Sequence, residues 1–267
     1  MLKLALFNFT LIVLASIVAI LYKKYVRCAK CERLLFIIAP IVTIACHYSS
    51  LIYHHFTDGK ALEFLSHNPN LILPIYPCNV VMWCALILGF MKNKESRVYQ
   101  LLVDYVFWFG IISTLVGMFA NVDFIRNPTL SDFDVTKGIV AHATLFFNVI
   151  LLPVFGKVKI SLKRNMRNIL ISIIGMYVIG LYCNLVFRVI ASADVAYQVN
   201  SMFIIHSPFA GLDFLTYPTI ALLAVVIYFA IFHVAELISH PKGERWYDAV
   251  CSKVKGEQIF EKRNNAD

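Results

Sequence analysis

The sequence has few acidic residues and few charges altogether. Asp and Glu number 16 against 24 Lys and Arg, charged residues make up 15% of the 267 residues, and the formal net charge is +8. The sequence also lacks serine-hydrolase, P-loop and dinucleotide-binding motifs, an internal repeat and a low-complexity segment. The sequence therefore does not indicate a serine hydrolase, a P-loop nucleotidase, a dinucleotide-dependent enzyme or a repeat protein. Because no soluble basic module is present, we expect no nucleic-acid partner.

Long apolar runs dominate what is present. Hydrophobic residues make up 60% of the chain, whereas soluble domains contain about 45–50%. Runs of about 20 residues match a hydrocarbon core of about 30 Å. We therefore predict an all-α, polytopic membrane protein with a bundle over 1–238 and a charged cytoplasmic tail over 239–267. The seven predicted spans are 4–21, 34–53, 71–91, 101–120, 139–155, 169–189 and 213–238.

The basic residues predict the orientation of the bundle. Of the 24 Lys and Arg, 19 follow spans 1, 3, 5 and 7. The positive-inside rule then places the N-terminus outside and the C-terminus in the cytoplasm, as an odd number of spans requires. We expect the first span to be a retained helix rather than a signal peptide, because no small-residue cleavage site follows it. The expected location is the cell membrane.

The seven cysteines do not form an extracellular disulfide framework. In the predicted topology Cys28, Cys31 and Cys251 face the cytoplasm, and the other four lie inside spans. Cys28 and Cys31 have CxxC spacing, but a zinc site requires four ligands and no second pair exists. The pattern therefore favours ordinary reduced thiols. We expect no metal and no cofactor.

Polar residues inside the spans are costly and invite a functional interpretation. At 1.5 Å per residue, five of them lie in one layer of the outer leaflet: His47, Cys78, Asn79, His142 and Asn184. Asp104 is alone near the inner end of its span, where a structural role is favoured. Two outer loops, 54–70 and 190–211, are longer than a connection requires, so we expect the activity on the outer side.

The third span predicts a polar pocket beside Cys78. Pro74 and Pro77 remove backbone donors and disturb the helix, so its outer part should be kinked. Backbone carbonyls freed at that depth must face protein or a water-filled cavity. A buried thiol becomes a nucleophile when a histidine takes its proton, and His142 is the candidate base. Packing roles for both residues stay open, as they do for Cys46, Cys84, Cys183 and His47.

Five motifs carry a resemblance to a known family. They are LPIYPCN (73–79), FWFGIISTL (107–115), GIVAHATLFFNVILL (138–152), CNLVF (183–187) and NSMF…GLDFLTYP (200–218). Together they resemble the YwaF-like (TP0381-type) integral membrane family over about residues 70–235. That family often has aspartate after the cysteine and glycine after the histidine, where this sequence has Asn79 and Ala143.

The resemblance implies a lipid enzyme. Animal relatives are similar to phospholipid acyltransferases that carry the acyl chain on the cysteine, with the histidine as base. The fold is similar, more distantly, to that of androgen-induced intramembrane lipid hydrolases. Transferred to this sequence, Cys78 and His142 would be catalytic. Orienting or substrate-binding roles would fall to Asn79, Asn184, Asn200 and Asp213.

We therefore expect a lipid acyltransferase or acyl-ester hydrolase acting on a phospholipid or lysolipid. Asn79 or Tyr76 would donate to the oxyanion, because Pro77 has no N–H. The alternative is a small-molecule transporter or a non-catalytic binding or sensing protein, since a broken helix with polar groups is also typical of transporters. The lipid, the acceptor and the oligomeric state do not follow from the sequence.

Overall fold

The computed structural model describes residues 2–26, 28–120, 129–190, 199–207, 211–241, 243 and 245–254. Within these ranges the chain consists of helices joined by turns and irregular segments, and it contains no β-strand. The predicted all-α membrane fold is confirmed. Parts of the 190–211 loop, Arg126 and the end of the tail lie outside the described residues.

The long helices coincide with six of the seven predicted spans. Six helices are long and apolar enough to cross a membrane. They are α1 (Leu2–Tyr25), α2 (Ala29–Thr57), α5 (Arg97–Phe119), α6 (Phe133–Val154), α7 (Leu162–Ile190) and α8 (Tyr217–Ser239). The shorter helices are α3 (Ala61–His67), α4 (Pro77–Phe90) and α9 (Trp246–Val254), with 3₁₀ turns at Pro69–Leu71 and Ser201–Phe203.

The predicted third span differs most from the structure. Helix α4 has 14 residues and rises about 21 Å, less than the roughly 30 Å of a hydrocarbon core. Residues 72–76 are not helical, and Pro77 takes the first position of α4, where its missing N–H costs nothing. Counting α4 as a seventh crossing stays a prediction.

Helix α6 lies at the centre of the bundle. It packs against α1, α2, α4 and α5, while α5 also contacts α7, and α7 contacts α8. Helices α2 and α4 approach so closely that a Cβ atom at Gly89 would lie 2.2 Å from the carbonyl oxygen of Phe36. The outward faces carry many exposed Leu, Ile, Val and Phe side chains, as expected of a lipid-facing surface.

Polar contacts show which connections share an end of the bundle. Lys157, after α6, pairs with Glu32 at the start of α2 at 2.6 Å, and Lys94, after α4, lies 3.9 Å from Glu32. Lys23, at the end of α1, lies over the ring of Phe155. We call this end, defined by Lys23, Glu32, Lys94 and Lys157, the basic end.

The other end is also joined by side chains. Asp134, at the start of α6, accepts a hydrogen bond from Ser50 Oγ at 2.5 Å and contacts His54 Nε2 at 3.0 Å. Both partners lie in the last two turns of α2. We call this the opposite end. Helix α4 begins toward it and finishes at the basic end, so it runs in the direction that the sequence predicted for a span.

Candidate functional site

Cys78 is the second residue of α4 and lies inside the bundle. Tyr76 precedes the helix in an extended conformation, with φ −118° and ψ 153°. The half-buried thiol packs against the main core and lies close to the backbone N–H groups of Cys78 and Asn79. Amide groups at the start of a helix stabilise negative charge. The Asn79 N–H also donates to the Tyr76 carbonyl at 3.0 Å. The start of α4 therefore places the thiol beside first-turn backbone amides, of which the Cys78 N–H has no helical acceptor.

The carbonyl groups released by the break in the helix have partners. The Ile75 carbonyl accepts from the backbone N–H of Met202 at 2.9 Å and from Ser201 Oγ at 3.0 Å. The Pro77 carbonyl accepts from the hydroxyl of Tyr105 at 3.4 Å. The freed backbone faces protein, as a segment at that depth requires.

Asn184 holds the turn that satisfies this backbone. Its Oδ1 accepts from the N–H of Ser201 at 2.9 Å, and its Nδ2 donates to the Ser201 carbonyl at 3.3 Å. Met202 and Phe203 adopt φ values of 54° and 58°, the left-handed region that side chains other than glycine rarely adopt. Asn184 thus orients the turn over residues 201–203. That turn supports the non-helical segment that leads into α4 and Cys78.

The structure places Asn200 and Asp213, two further predicted binding residues, in the connection before α8. Asn200 organises its own loop: its Nδ2 donates to the His206 carbonyl at 2.6 Å and its Oδ1 accepts from Ile205 N–H at 2.9 Å. Asp213 is exposed in the turn before α8. A substrate-binding role for either residue stays a prediction.

His142 has a defined tautomer. Its Nδ1 lies 2.8 Å from the carbonyl oxygen of Gly138. Because a carbonyl can only accept, Nδ1 carries the proton, and Nε2 of the neutral ring is left with its lone pair. The ring packs against Gly117 of α5, where an added Cβ would lie 2.2 Å from Nε2. The chain therefore presents Nε2 as a proton acceptor between α5 and α6.

Cys78 and His142 lie on helix faces that meet at α5. Val81 and Val149 both pack on Gly110, with distances of 3.2 and 2.5 Å to its added Cβ. Cys78 precedes Val81 by three residues and His142 precedes Val149 by seven, so each shares a side of its helix with that valine. No hydrogen bond joins the two described side chains. The catalytic pair stays a prediction.

A second histidine stands directly beside Asn79. The Asn79 carboxamide accepts from Tyr76 N–H at 3.2 Å, and its Nδ2 lies 3.5 Å from His47 Nε2. His47 Nε2 also lies 3.3 Å from the carbonyl of Asn70. A single ring nitrogen can donate to that carbonyl or accept from Asn79, not both at once. His47 therefore has two alternative hydrogen-bonding arrangements at this site.

The histidines form a polar layer with a lysine. His47 interacts electrostatically with both Lys137 and His142. We call His47, Asn79, Lys137 and His142 the polar layer. The sequence placed three of the four at a common depth, but it gave His47 a packing role and did not identify Lys137. The missing information was which faces of α2 and α6 turn toward α4.

Asp104 has partners within the bundle that the sequence did not identify. The buried carboxylate accepts from Asn168 Nδ2 of α7 at 2.7 Å, and Arg164 Nε lies 3.9 Å away. It therefore links α5 to α7 near the basic end, on the side of the bundle away from the polar layer.

A comparison with protein families completes the description. The family model of the TMEM164 family matches residues 2–235. The chain therefore belongs to the TMEM164 family, a family of membrane proteins. Comparisons with curated proteins and with solved structures find no match.

Proposed function

We propose that this member of the TMEM164 family is a lipid acyltransferase or acyl-ester hydrolase that uses Cys78 as nucleophile and His142 as base. The observation that carries the proposal is the Cys78 thiol at the amide-rich start of α4, next to the polar layer. A packing cysteine needs neither free backbone donors nor nearby imidazoles. The YwaF-like motifs that resemble acyltransferases add support.

The mechanism follows from these groups. His142 Nε2 takes the thiol proton, and the Cys78 sulfur attacks the ester carbonyl of a phospholipid. The tetrahedral oxyanion collapses to an acyl-cysteine, and the lysolipid alkoxide leaves with the proton held by the imidazolium. The imidazolium gives this proton to the alkoxide. An acceptor hydroxyl, or water in a hydrolase, then gives its proton to His142 and attacks the acyl carbonyl, and the Cys78 sulfur leaves and takes that proton back from the imidazolium. Atoms and protons balance over the two steps.

Donors for the oxyanion lie beside the thiol. The backbone N–H of Cys78 is in the first turn of α4, where helical amides have no helical acceptor. The Asn79 Nδ2 group is free to turn toward the oxyanion when His47 donates to Asn70 instead. Such donors are worth about 10²–10³ in rate at related sites. The Tyr76 N–H, by contrast, is bound to Asn79 Oδ1.

The substrate in this proposal is a membrane lipid that enters sideways from the outer leaflet of the cell membrane. Orientation follows from the basic end, which the positive-inside rule places in the cytoplasm. The start of α4 then faces the outer leaflet, near the level of a glycerolipid ester. No cofactor takes part.

The test is acyl release or transfer from labelled phospholipid by the purified protein in detergent. Cys78→Ala should abolish turnover, and Cys78→Ser should be nearly as poor because a hydroxyl is a far weaker nucleophile. His142→Ala should cost about 10²–10⁴-fold. The double variant should be no worse than Cys78→Ala, because the two residues act as one unit.

Cys84→Ala is the matched control. Cys84 is also a half-buried thiol of α4 packed against the same core, but it lies well inside the helix, away from the free amides. It should retain normal turnover. Full activity of Cys78→Ala, or an equal loss in Cys84→Ala, would refute the acyl-cysteine mechanism.

A transporter or a non-catalytic binding or sensing protein is the second candidate. The non-helical backbone at residues 72–76 favours this candidate, because broken helices inside a bundle are typical of transporter binding sites. A protein that does not react with lipid-like thiol probes, yet accumulates solute in reconstituted vesicles, would favour the transporter.

A further inference from the structure

A pair of thiols lies at the start of α2, away from the polar layer. Cys28 is the N-cap residue, with φ −88° and ψ 122°, and Cys31 follows three residues later in the first turn. Their side chains lie close enough for each thiol to affect the pKa of the other. Residues so spaced have Cα atoms about 5 Å apart, within the 4.4–6.8 Å range that a disulfide requires.

Cys28 is the candidate nucleophile of the pair, because it is the more exposed of the two thiols. The nearby Cys31 thiol lowers the pKa of Cys28. The backbone amides of Cys31 and Lys30 lower this pKa further, although the thiol does not have the geometry of a capping hydrogen bond. Thiolates at helix N-termini in CxxC sequences are the nucleophiles of thiol–disulfide exchange.

A cavity of about 470 Å³ opens beside Cys28. Lys23, Lys24, Glu32 and Phe155 contribute to its walls. Glu32 is neutralised by its 2.6 Å pair with Lys157, so the two lysines give the cavity a positive charge. Pockets of about 300–1,000 Å³ accommodate small molecules, and this one favours an anion next to a reactive sulfur.

We propose that Cys28 and Cys31 form a reversible disulfide by exchange with an acidic low-molecular-weight disulfide of the glutathione type, which the lysine-lined cavity admits. The proposal is independent of the chemistry at Cys78. Two sulfurs explain the site better than a metal would, because zinc needs four ligands. Within the described ranges no three His, Cys, Asp or Glu side chains gather around a point.

The exchange balances in two steps. The Cys28 thiolate attacks one sulfur of the small disulfide, forms a mixed disulfide and releases the first thiolate, which takes up a proton. Cys31 then loses its proton and attacks the Cys28 sulfur, which releases the second small thiol. Two electrons pass from the protein dithiol to the small disulfide. The reverse reaction uses two small thiols as reductant.

The first experiment uses the purified full-length protein in detergent, equilibrated with reduced and oxidised glutathione and quenched with an alkylating reagent. Peptide mass spectrometry should find a Cys28–Cys31 disulfide. In Cys31→Ser the exchange cannot be completed, so a glutathione adduct should accumulate on Cys28. Cys251 is the control, because it is exposed but is not near a second thiol in the described part of the chain.

The second experiment tests the cavity. Lys23→Gln/Lys24→Gln should slow the reaction of Cys28 with oxidised glutathione about tenfold, the lower range of electrostatic steering, and leave its reaction with neutral hydroxyethyl disulfide unchanged. The proposal is overturned if Cys28 and Cys251 react at equal rates, or if Cys31→Ser accumulates no adduct. An equal slowing with both disulfides would overturn the role of the cavity.

Discussion

At the scale of the residue, Gly117 shows how tightly the His142 ring is held. The His142 ring occupies the place where a side chain at Gly117 would begin, 2.2 Å from the added Cβ. Gly117→Ala must displace the ring from its bond to Gly138, at an overpacking cost of about 1–3 kcal/mol. If His142 is the base, acyl turnover should fall toward the 10²–10⁴-fold loss of His142→Ala.

A control variant and a double variant distinguish displacement of the His142 ring from general destabilisation of the protein. An added Cβ at Gly175, on α7, meets no heavy atom within 4 Å, so Gly175→Ala should leave turnover unchanged. With His142→Ala the space at Gly117 is free, and Gly117→Ala should then cost little thermal stability in detergent. Additive losses of stability in the double variant would show that the ring is not what Gly117 accommodates.

At the scale of the element, the short helix α4 depends on a turn far along the chain. Asn184 fixes Ser201, and Ser201 and Met202 satisfy the Ile75 carbonyl just before α4. Asn184→Ala leaves the buried Ser201 backbone without these partners, a penalty of about 1–3 kcal/mol. We expect a lower unfolding midpoint in detergent together with reduced turnover.

Asn93→Ala serves as the comparison, because Asn93 lies in the exposed α4–α5 connection, where water can replace the hydrogen bond that its Oδ1 accepts from the Glu95 N–H. It should change neither property. An Asn184→Ala variant as stable as the wild type would show that the turn does not support α4.

The long elements could be predicted from the sequence and the broken one could not. Apolar runs of about 20 residues gave α1, α2 and α5 to within a few residues, because bilayer thickness sets their length. Pro74 and Pro77 indicated a disturbance, but a kink and a helix start have the same local sequence. The partners of Ile75 come from residues more than 120 positions away, and no local pattern predicts such a contact.

The sequence predicted how deep in the membrane the candidate site residues lie, but not which neighbouring helix each side chain faces. Spacing along each span placed His47 and His142 in one layer, since rise per residue is constant. Whether His47 faces Asn79 depends on how α2 is rotated against α4, which the close packing at Gly89 decides. The hydrogen bond between them is therefore a product of packing that no single span contains.

At the scale of the whole molecule, the contacts of Glu32 show that the basic segments after α4 and α6 lie at the same end of the bundle, the basic end. If that end is cytoplasmic, a thiol reagent that cannot cross membranes should fail to label Cys28, Cys31 and Cys251 in intact cells. It should label them after permeabilisation. The measurement is mass-tag labelling followed by electrophoresis.

A cysteine at the opposite end provides the positive control. Leu62 of α3 is 83% exposed, so Leu62→Cys should be labelled in intact cells. Labelling of Cys251 from outside would reverse the orientation, and with it the leaflet assigned to the polar layer.

The shortness of α4 has a consequence for the lipid around it. If α4 crosses the membrane as predicted, a helix about 9 Å shorter than the hydrocarbon layer creates a hydrophobic mismatch, which a bilayer relieves by thinning locally. Thinning at the start of α4 lowers headgroups and their hydration water toward Cys78. If Cys78 is the nucleophile proposed above, a glycerolipid beside α4 could then bring its ester to the thiol without leaving its own leaflet, and bilayer elasticity would help to present the substrate.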